Sequence, residues 1–136
     1  MNKKKIMKKL LLIVFMLTTV MFAACKKTET QDSKVTVDYT KPDNLSGTTW
    51  KCFDMAVDPT MEWAALIFTS TSAVEGWSKK KTASATKDWT GNFAVTNTTV
   101  TFNYLMDTVP QTFSGVINGE VINCQVGGAT VAFKKQ

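Results

Sequence analysis

Residues 89–104 have the sequence WTGNFAVTNTTVTFNY, and this stretch decides the fold class of the chain. On each side of Asn97-Thr98, apolar or small residues alternate with polar ones. A period of two is typical of strands with one buried face. A two-residue turn at Asn97-Thr98 would pair Phe93 with Phe102. The stretch therefore predicts an antiparallel hairpin whose aromatic side chains share one inward face.

Two further turns extend this pattern toward the C-terminus. Asn118-Gly119 is the strongest hairpin signal in the chain, because both central positions of a type I′ turn need positive φ. It would pair Ile117 with Glu120. Gly127-Gly128 predicts a second tight turn, and both turns place Ile122 on the inward face. A one-residue slip of register would turn these side chains outward.

The whole of residues 45–136 shows strand patterns and no convincing helical period. Before the hairpins described above, strands are expected at about 47–55, 61–69 and 72–78, followed by a polar loop over residues 79–87. Consecutive hairpins with a single apolar face predict an all-β fold, a small antiparallel up-and-down β-barrel of about eight strands. A β-sandwich is the alternative.

The first 25 residues predict an export signal and a lipid anchor. A lysine cluster in residues 2–9 precedes the apolar run of residues 10–22, which is shorter than the roughly 20 residues of a membrane span. Ala23-Ala24 and then Cys25 are similar to a bacterial lipobox, in which the cysteine is acylated and becomes the first residue after cleavage. Phe22 stands where leucine is commonest. The expected organisation is a lipoprotein signal peptide (1–24), a lipid-anchored polar tether (25–44) and one β-barrel domain (45–136).

The predicted anchor also gives the expected location and the first expected partner. Acyl chains on Cys25 would hold the protein on a membrane, since each buried methylene contributes about 0.8 kcal/mol. The outer membrane of a bacterial cell envelope is the expected site. In that compartment disulfides are permitted.

Charge and composition exclude several functions. The chain has 16 lysines, 11 acidic residues, no arginine and no histidine. Five lysines lie in the first nine residues, and the other 11 balance the acids. A neutral body without arginine lacks the basic footprint of a nucleic-acid-binding protein. Without histidine the usual general base and the commonest metal ligand are missing. We therefore expect no catalytic site, no metal and no cofactor.

Five short strand motifs run through the body of the chain. They are GTTWK (47–51), LIFT (66–69), WTGNF (89–93), FSGVI (113–117) and FKK (133–135). Together they resemble the short lipocalin-like lipoproteins of anaerobic Gram-negative bacteria. Two residues separate Gly47 from Trp50, where lipocalins have Gly-x-Trp, and Lys134 or Lys135 would have to replace the lipocalin arginine that packs on this tryptophan. The resemblance implies an eight-stranded barrel with one open mouth and a role in binding.

Nine aromatic residues are expected to point into the barrel. They are Trp50, Phe68, Trp77, Trp89, Phe93, Phe102, Tyr104, Phe113 and Phe133. Most should form the core, because an eight-stranded barrel has an interior just wide enough for side chains or one small ligand. The candidates for ligand binding are Trp77, Trp89, Phe102 and Tyr104, of which the two tryptophans flank the 79–87 loop.

The expected partner of this site is a small apolar or glycan-like ligand, bound without catalysis. The alternative is a filled barrel that serves as a structural or protein-interaction module for another envelope protein. A cavity above about 300 Å³ would favour the first function. An exposed apolar patch over a filled interior would favour the second.

Trp63 and two cysteines fall outside this scheme. Trp63 is out of phase with Leu66 and Phe68, which predicts either an exposed platform for a partner or a β-bulge. Cys52 and Cys124 are expected to be buried thiols, because the last strand would lie between theirs. The two Cα atoms would then lie two strand spacings of about 4.8 Å apart, which is roughly 9.6 Å in total and exceeds the ~7 Å limit for a disulfide bridge. A disulfide between them is the alternative.

Overall fold

The computed structural model describes residues 35–136. These residues form a closed antiparallel barrel of eight strands in up-and-down order. The elements are α1 (Pro42–Leu45), β1 (Thr49–Cys52), β2 (Met61–Phe68), β3 (Ala73–Lys80), β4 (Thr86–Thr96), β5 (Thr99–Met106), β6 (Val109–Asn118), β7 (Val121–Val126) and β8 (Ala129–Lys135). The predicted fold class is confirmed, and the β-sandwich alternative is wrong because β8 pairs with β1 and closes the sheet.

The predicted signal peptide, Cys25 and most of the predicted tether lie outside the described residues. Over residues 35–136, the chain contains no helix with the length and apolar character that a bilayer crossing requires.

Two predicted hairpin registers are confirmed. Phe93 pairs with Phe102 across the turn at Asn97, which has a φ of 54°. Val126 pairs with Ala129 across the two-glycine turn. In both hairpins a two-residue loop determines the register, so the inward face follows directly from the turn.

The register predicted for the β6–β7 hairpin is wrong by two residues. Asn118 pairs with Val121, so Gly119 and Glu120 occupy the two central positions of the turn. Gly119 takes the first of these positions with a φ of 58°, a conformation that glycine adopts without steric cost. Because the shift is an even number of residues, Ile122 still faces the interior and is fully buried.

Two connections between strands differ from what the sequence predicts. The loop expected over residues 79–87 is shorter, because β3 continues to Lys80 and β4 begins at Thr86. The β5–β6 turn, which no glycine marks, is formed by Asp107 (φ 49°) and Thr108 (φ 72°). Positive φ is uncommon outside glycine, especially for a β-branched residue, so the sequence alone does not point to this turn.

The segment before β1 closes one end of the barrel. Leu45 is fully buried, and Tyr39 is buried with its ring perpendicular to that of Trp50, the centroids 5.1 Å apart. The Trp50 indole N–H donates to the Thr48 hydroxyl at 2.8 Å. Lys135 Nζ lies 5.7 Å from the centroid of the Tyr39 ring, so this lysine contacts the tyrosine. The last residues of the predicted polar tether thus pack onto the barrel.

Local sequence explains how this segment turns into the barrel. Pro42 begins the four-residue helix α1, where its fixed φ suits the first helical turn and its missing N–H costs nothing. Gly47 follows the helix with a φ of 76°, the left-handed conformation that commonly ends helices. The Gly47 N–H then donates to the Phe68 carbonyl at 2.8 Å. This bond joins the closing segment to β2.

Replacing Leu45 with alanine tests whether this segment is part of the folded domain. We expect Leu45→Ala to lower the free energy of unfolding by about 2–5 kcal/mol, because it removes a fully buried side chain and leaves a cavity. Urea unfolding of the full-length chain measures the change. Val116→Ala is the matched control, since Val116 lies in β6 and is 49% exposed; it should cost less than about 0.5 kcal/mol. Equal costs for the two variants would show that Leu45 is not packed.

Candidate functional site

The end of the barrel opposite α1 holds a cavity. The β1–β2, β3–β4, β5–β6 and β7–β8 connections all lie at this end, because successive strands reverse direction. The cavity has a volume of about 420 Å³ and is lined by residues from β2 through β8. Its large apolar side chains include Leu66, Trp89, Phe113 and Phe133. The open end therefore forms a mouth with a mainly apolar interior, which we call the mouth cavity.

Aromatic rings form one continuous wall of the mouth cavity. Trp89 and Tyr104 are stacked, with ring centroids 4.4 Å apart and planes 27° apart. Phe113 meets both rings edge-on at 5.9 Å. Phe113 also stacks on Phe102 at 4.6 Å. The wall thus extends from the mouth to the fully buried core residue Phe102.

The position of the Trp89 ring depends on Gly76. The two residues pair across β3 and β4, and a Cβ built on Gly76 would lie 2.0 Å from Cε2 of Trp89. The indole therefore occupies the space that a side chain at Gly76 would need. Gly76 is not among the residues predicted for the site, although a glycine inside a strand is a signal of close approach by another group.

Trp77 does not point inward as expected. Its neighbours Gly76 and Ser78 are buried on the inner face of β3, so strand alternation places Trp77 on the outer face. Its indole N–H donates to Glu75 Oε2 at 2.8 Å, and Lys87 Nζ lies 3.2 Å from the other carboxylate oxygen of Glu75. These hydrogen bonds lower the pKa of Glu75. Trp77 borders the mouth cavity as part of the β3 wall, while its indole is bonded outside.

The four predicted ligand-binding residues thus take three different positions. Trp89 and Tyr104 line the mouth cavity side by side. Phe102 lies beneath them, fully buried behind Phe113. Trp77 belongs to the outer face. Sequence reasoning missed Phe113 and Phe133 as lining residues, because nothing in a strand pattern tells which inward aromatic lies near an open end.

A few polar groups interrupt the apolar lining. Ser78 is almost completely buried. Thr112 borders the cavity with its backbone, because its neighbour Phe113 points inward, and its hydroxyl donates to Asn103 at 2.8 Å on the outer face. Asp88 is the extra residue of a β-bulge, because Gly76 opposes Trp89 whereas the next β3 residue opposes Lys87. Among the described residues that line the cavity, Asp88 is the one charged side chain. The lining is therefore apolar, with a single carboxylate near its edge.

Exposed apolar side chains surround the mouth. They come from three of the four connections at this end or from the strand residues beside them: Phe53, Val57, Leu105, Met106, Val109 and Val126. Phe53 and Leu105 are 61% and 60% exposed. At the closed end, the described connections β2–β3, β4–β5 and β6–β7 carry no exposed large apolar residue, while Val116 on β6 and Val37 before α1 are exposed near them. Such concentrations of exposed apolar surface mark binding or interaction sites. We call these six residues the apolar rim.

Trp63 lies at a β-bulge, one of the two predicted explanations. The β2–β3 register shifts between Met61 and Trp63. Trp63 is half-buried, and Lys51 Nζ lies 4.4 Å from its ring centroid, close enough for a cation–π interaction. Its β3 partner Lys79 forms an ion pair with Glu62. Trp63 is therefore partly covered by its own strand neighbours on the outer face.

Cys52 and Cys124 are buried free thiols, as expected. Strand β8 lies between their strands, which confirms the topological argument against a bridge. Burial raises the pKa of Cys124 to about 12, with a smaller contribution from Cys52. Burial also raises the pKa of Cys52. Neither thiol is poised as a nucleophile, because the thiolate is the reactive form.

Comparisons with known proteins do not assign this chain to a family. No family model matches it, and no curated protein or solved structure matches it. Within residues 35–136, no group of three or more Cys, Asp and Glu side chains is arranged to hold a metal ion. The mouth cavity and the apolar rim are therefore the two features of the structure that bear on function.

The raised pKa of Cys124 predicts a loss of stability in alkali. Between its ordinary pKa of 9.0 and about 12, the folded thiol keeps a proton that the unfolded thiol releases. The stability that this group contributes is complete below pH 9 and falls as pH rises, by at most about 1.4 kcal/mol per pH unit.

Cys124→Ala removes this dependence. We expect the free-energy difference between wild type and variant to be constant from pH 6 to 8. It should shift against the wild type from pH 9 to 10.5, as measured by urea unfolding at each pH. A difference that stays constant over the whole range would contradict the assignment.

Proposed function

We propose that this chain is a lipid-anchored cell-envelope protein that binds a small, mainly apolar ligand without catalysis. The observation that carries the proposal is the mouth cavity of about 420 Å³ with its wall of stacked aromatic rings. Small-molecule sites in proteins typically have volumes of about 300–1,000 Å³, apolar linings and a few polar groups. The mouth cavity has each of these properties.

The lining favours an apolar ligand over a glycan. Trp89, Tyr104 and Phe113 present ring surface to the interior, whereas Ser78 offers a single hydroxyl. A glycan carries many hydroxyl groups, and each would lose its bonds to water on entering. Burying polar groups without partners costs about 1–3 kcal/mol each. A mainly apolar molecule avoids this cost.

The absence of catalysis is proposed from the same chemistry. The sequence has no histidine to act as a general base. Burial keeps Cys52 and Cys124 in the thiol form, as their raised pKa values indicate. A nucleophile with an adjacent base is the recurring arrangement for covalent catalysis, and these residues do not supply it.

The anchor rests on the sequence, because Cys25 lies outside the described residues. The order of lysines, a 13-residue apolar run, two alanines and Cys25 supports acylation of that cysteine and removal of residues 1–24. The resemblance to short lipocalin-like lipoproteins supports the same location, the outer membrane. The described domain would then be joined to the anchor by the residues that follow Cys25.

A second candidate function is favoured by the apolar rim. Six exposed apolar side chains around one end form a surface that another envelope protein would cover. In that case the protein is an interaction module, and rim variants such as Phe53→Ser would reduce partner binding while cavity variants would not. Under the ligand-binding proposal, cavity variants reduce ligand binding more than rim variants do.

Filling the mouth cavity tests the proposed function. Ala64 lines the cavity from β2. We expect Ala64→Leu to weaken binding of the neutral apolar dye N-phenyl-1-naphthylamine at least tenfold, because the added side chain takes the space of the ligand. Dye fluorescence in a titration of the full-length protein measures the affinity.

The control for this experiment is Ala94→Leu, which adds the same side chain at an exposed position of β4. It should leave dye affinity unchanged. Wild-type protein that fails to enhance dye fluorescence, or equal affinities in both variants, would contradict ligand binding in the cavity.

Replacing Cys25 tests the anchor separately. We expect the full-length chain to incorporate radiolabelled palmitate in growing bacteria, and Cys25→Ser to abolish the label, since the thiol is the acyl acceptor. Cys52→Ser is the control and should retain the label. Equal labelling of wild type and Cys25→Ser would show that the protein is not a lipoprotein anchored at this residue.

A further inference from the structure

We propose that the mouth cavity selects an apolar or aromatic ammonium compound over neutral and anionic molecules of the same size. The inference rests on the proposed function, because it names the class of ligand that the cavity takes. It follows from the single carboxylate of the lining and from the aromatic wall beside it.

The carboxylate is Asp88, at the β3–β4 bulge. Thr86 Oγ1 lies 3.3 Å from Asp88 Oδ1, its one side-chain hydrogen bond among residues 35–136. Asp88 forms no ion pair with any residue in that described range. The side chain is exposed at the edge of the cavity, where solvent keeps it available. A ligand cation in the cavity would therefore meet an unpaired negative charge, and a ligand anion would be repelled.

The aromatic wall also attracts a ligand cation. Aromatic ring faces carry partial negative charge, and a cation within about 6 Å of a ring centroid is stabilised by it. Trp89 is next to Asp88 in the chain, and Tyr104 and Phe113 continue the wall from it. A ligand ammonium near Asp88 would lie beside these rings. Its apolar part would extend toward the core.

Two lysines of β3 and β4, the strands on either side of the Asp88 bulge, are paired with other acidic residues. Lys79 forms an ion pair with Glu62, and Lys87 forms one with Glu75 at 3.2 Å. Lys79 points outward because it follows the inward Ser78. Lys87 also lies on the outer face, because its partner Glu75 accepts from an outer-face indole. These two cations therefore do not neutralise Asp88.

The remaining lysines of this hairpin do not line the cavity. The Lys81 backbone N–H donates to the Thr60 carbonyl. Neither Lys80 nor Lys81 is among the residues that line the cavity. The lining itself therefore carries a net negative charge.

Three ligands with one phenylpropyl group test the charge preference. They are 3-phenylpropylammonium, 3-phenylpropanol and 3-phenylpropanoate, titrated at pH 7 against the full-length protein by saturation-transfer NMR. An exposed ion pair and a cation–π contact together should make the ammonium bind about tenfold more tightly than the alcohol. The propanoate should bind most weakly.

Variants of two aspartates locate the preference. Asp88→Asn keeps the shape and the acceptor of the Thr86 hydroxyl but removes the charge. We expect it to reduce the advantage of the ammonium over the alcohol to about threefold or less. Asp107→Asn removes the same charge from the tip of the β5–β6 hairpin, outside the lining. It should keep the full preference.

The possible outcomes separate this inference from the proposed function. Equal binding of ammonium and alcohol, tightest binding of propanoate, or an ammonium preference that survives Asp88→Asn would overturn the charge inference and leave an apolar site. If none of the three ligands binds and N-phenyl-1-naphthylamine does not bind either, the proposed function fails and the inference fails with it.

Discussion

The pairing of the last strand with the first is the constraint on which the rest of the structure depends. Trp50 and Lys51 are paired with the end of β8, and the Gln136 N–H donates to the Thr49 carbonyl at 2.9 Å. An open sheet would leave two edges unpaired and its apolar face uncovered. Closure removes both edges and creates an interior. The core, the closing segment at one end and the mouth cavity at the other all depend on this closed sheet.

On β2 and β3, the size of the inward side chains changes from one end of the barrel to the other. On β2, inward positions change from Ala64 near the mouth to Phe68 near α1. On β3, they change from Ser78 and Gly76 to Val74. On these two strands, small residues near the mouth leave space beside the aromatic wall that β4, β5 and β6 supply, while larger residues fill the other end. The same gradient leaves room for the Trp89 ring. Because a cavity in a close-packed protein needs such an arrangement, we regard the mouth as a built site.

Period-two alternation and two-residue turns were sufficient to predict the barrel and the inward aromatic rows, since both are local features of the chain. Alternation also explains why the inward prediction for Trp77 is wrong. A residue three positions after the inward Val74 must face outward. The burial of Tyr39 and Leu45 could not be predicted from the local sequence pattern, because their contacts join a polar segment to distant strands. The cavity could not be predicted either, because it depends on which inward side chains are small at one end. Asp88 reaches its edge through a bulge that the sequence does not mark.

The central claim is that the mouth cavity holds a small molecule. Native mass spectrometry of the protein isolated from the cells that make it tests this most directly. We expect a non-covalent adduct of small mass on the chain, which is lost when a cavity-filling side chain is introduced. A bare chain that also fails to retain added 3-phenylpropylammonium would contradict the claim.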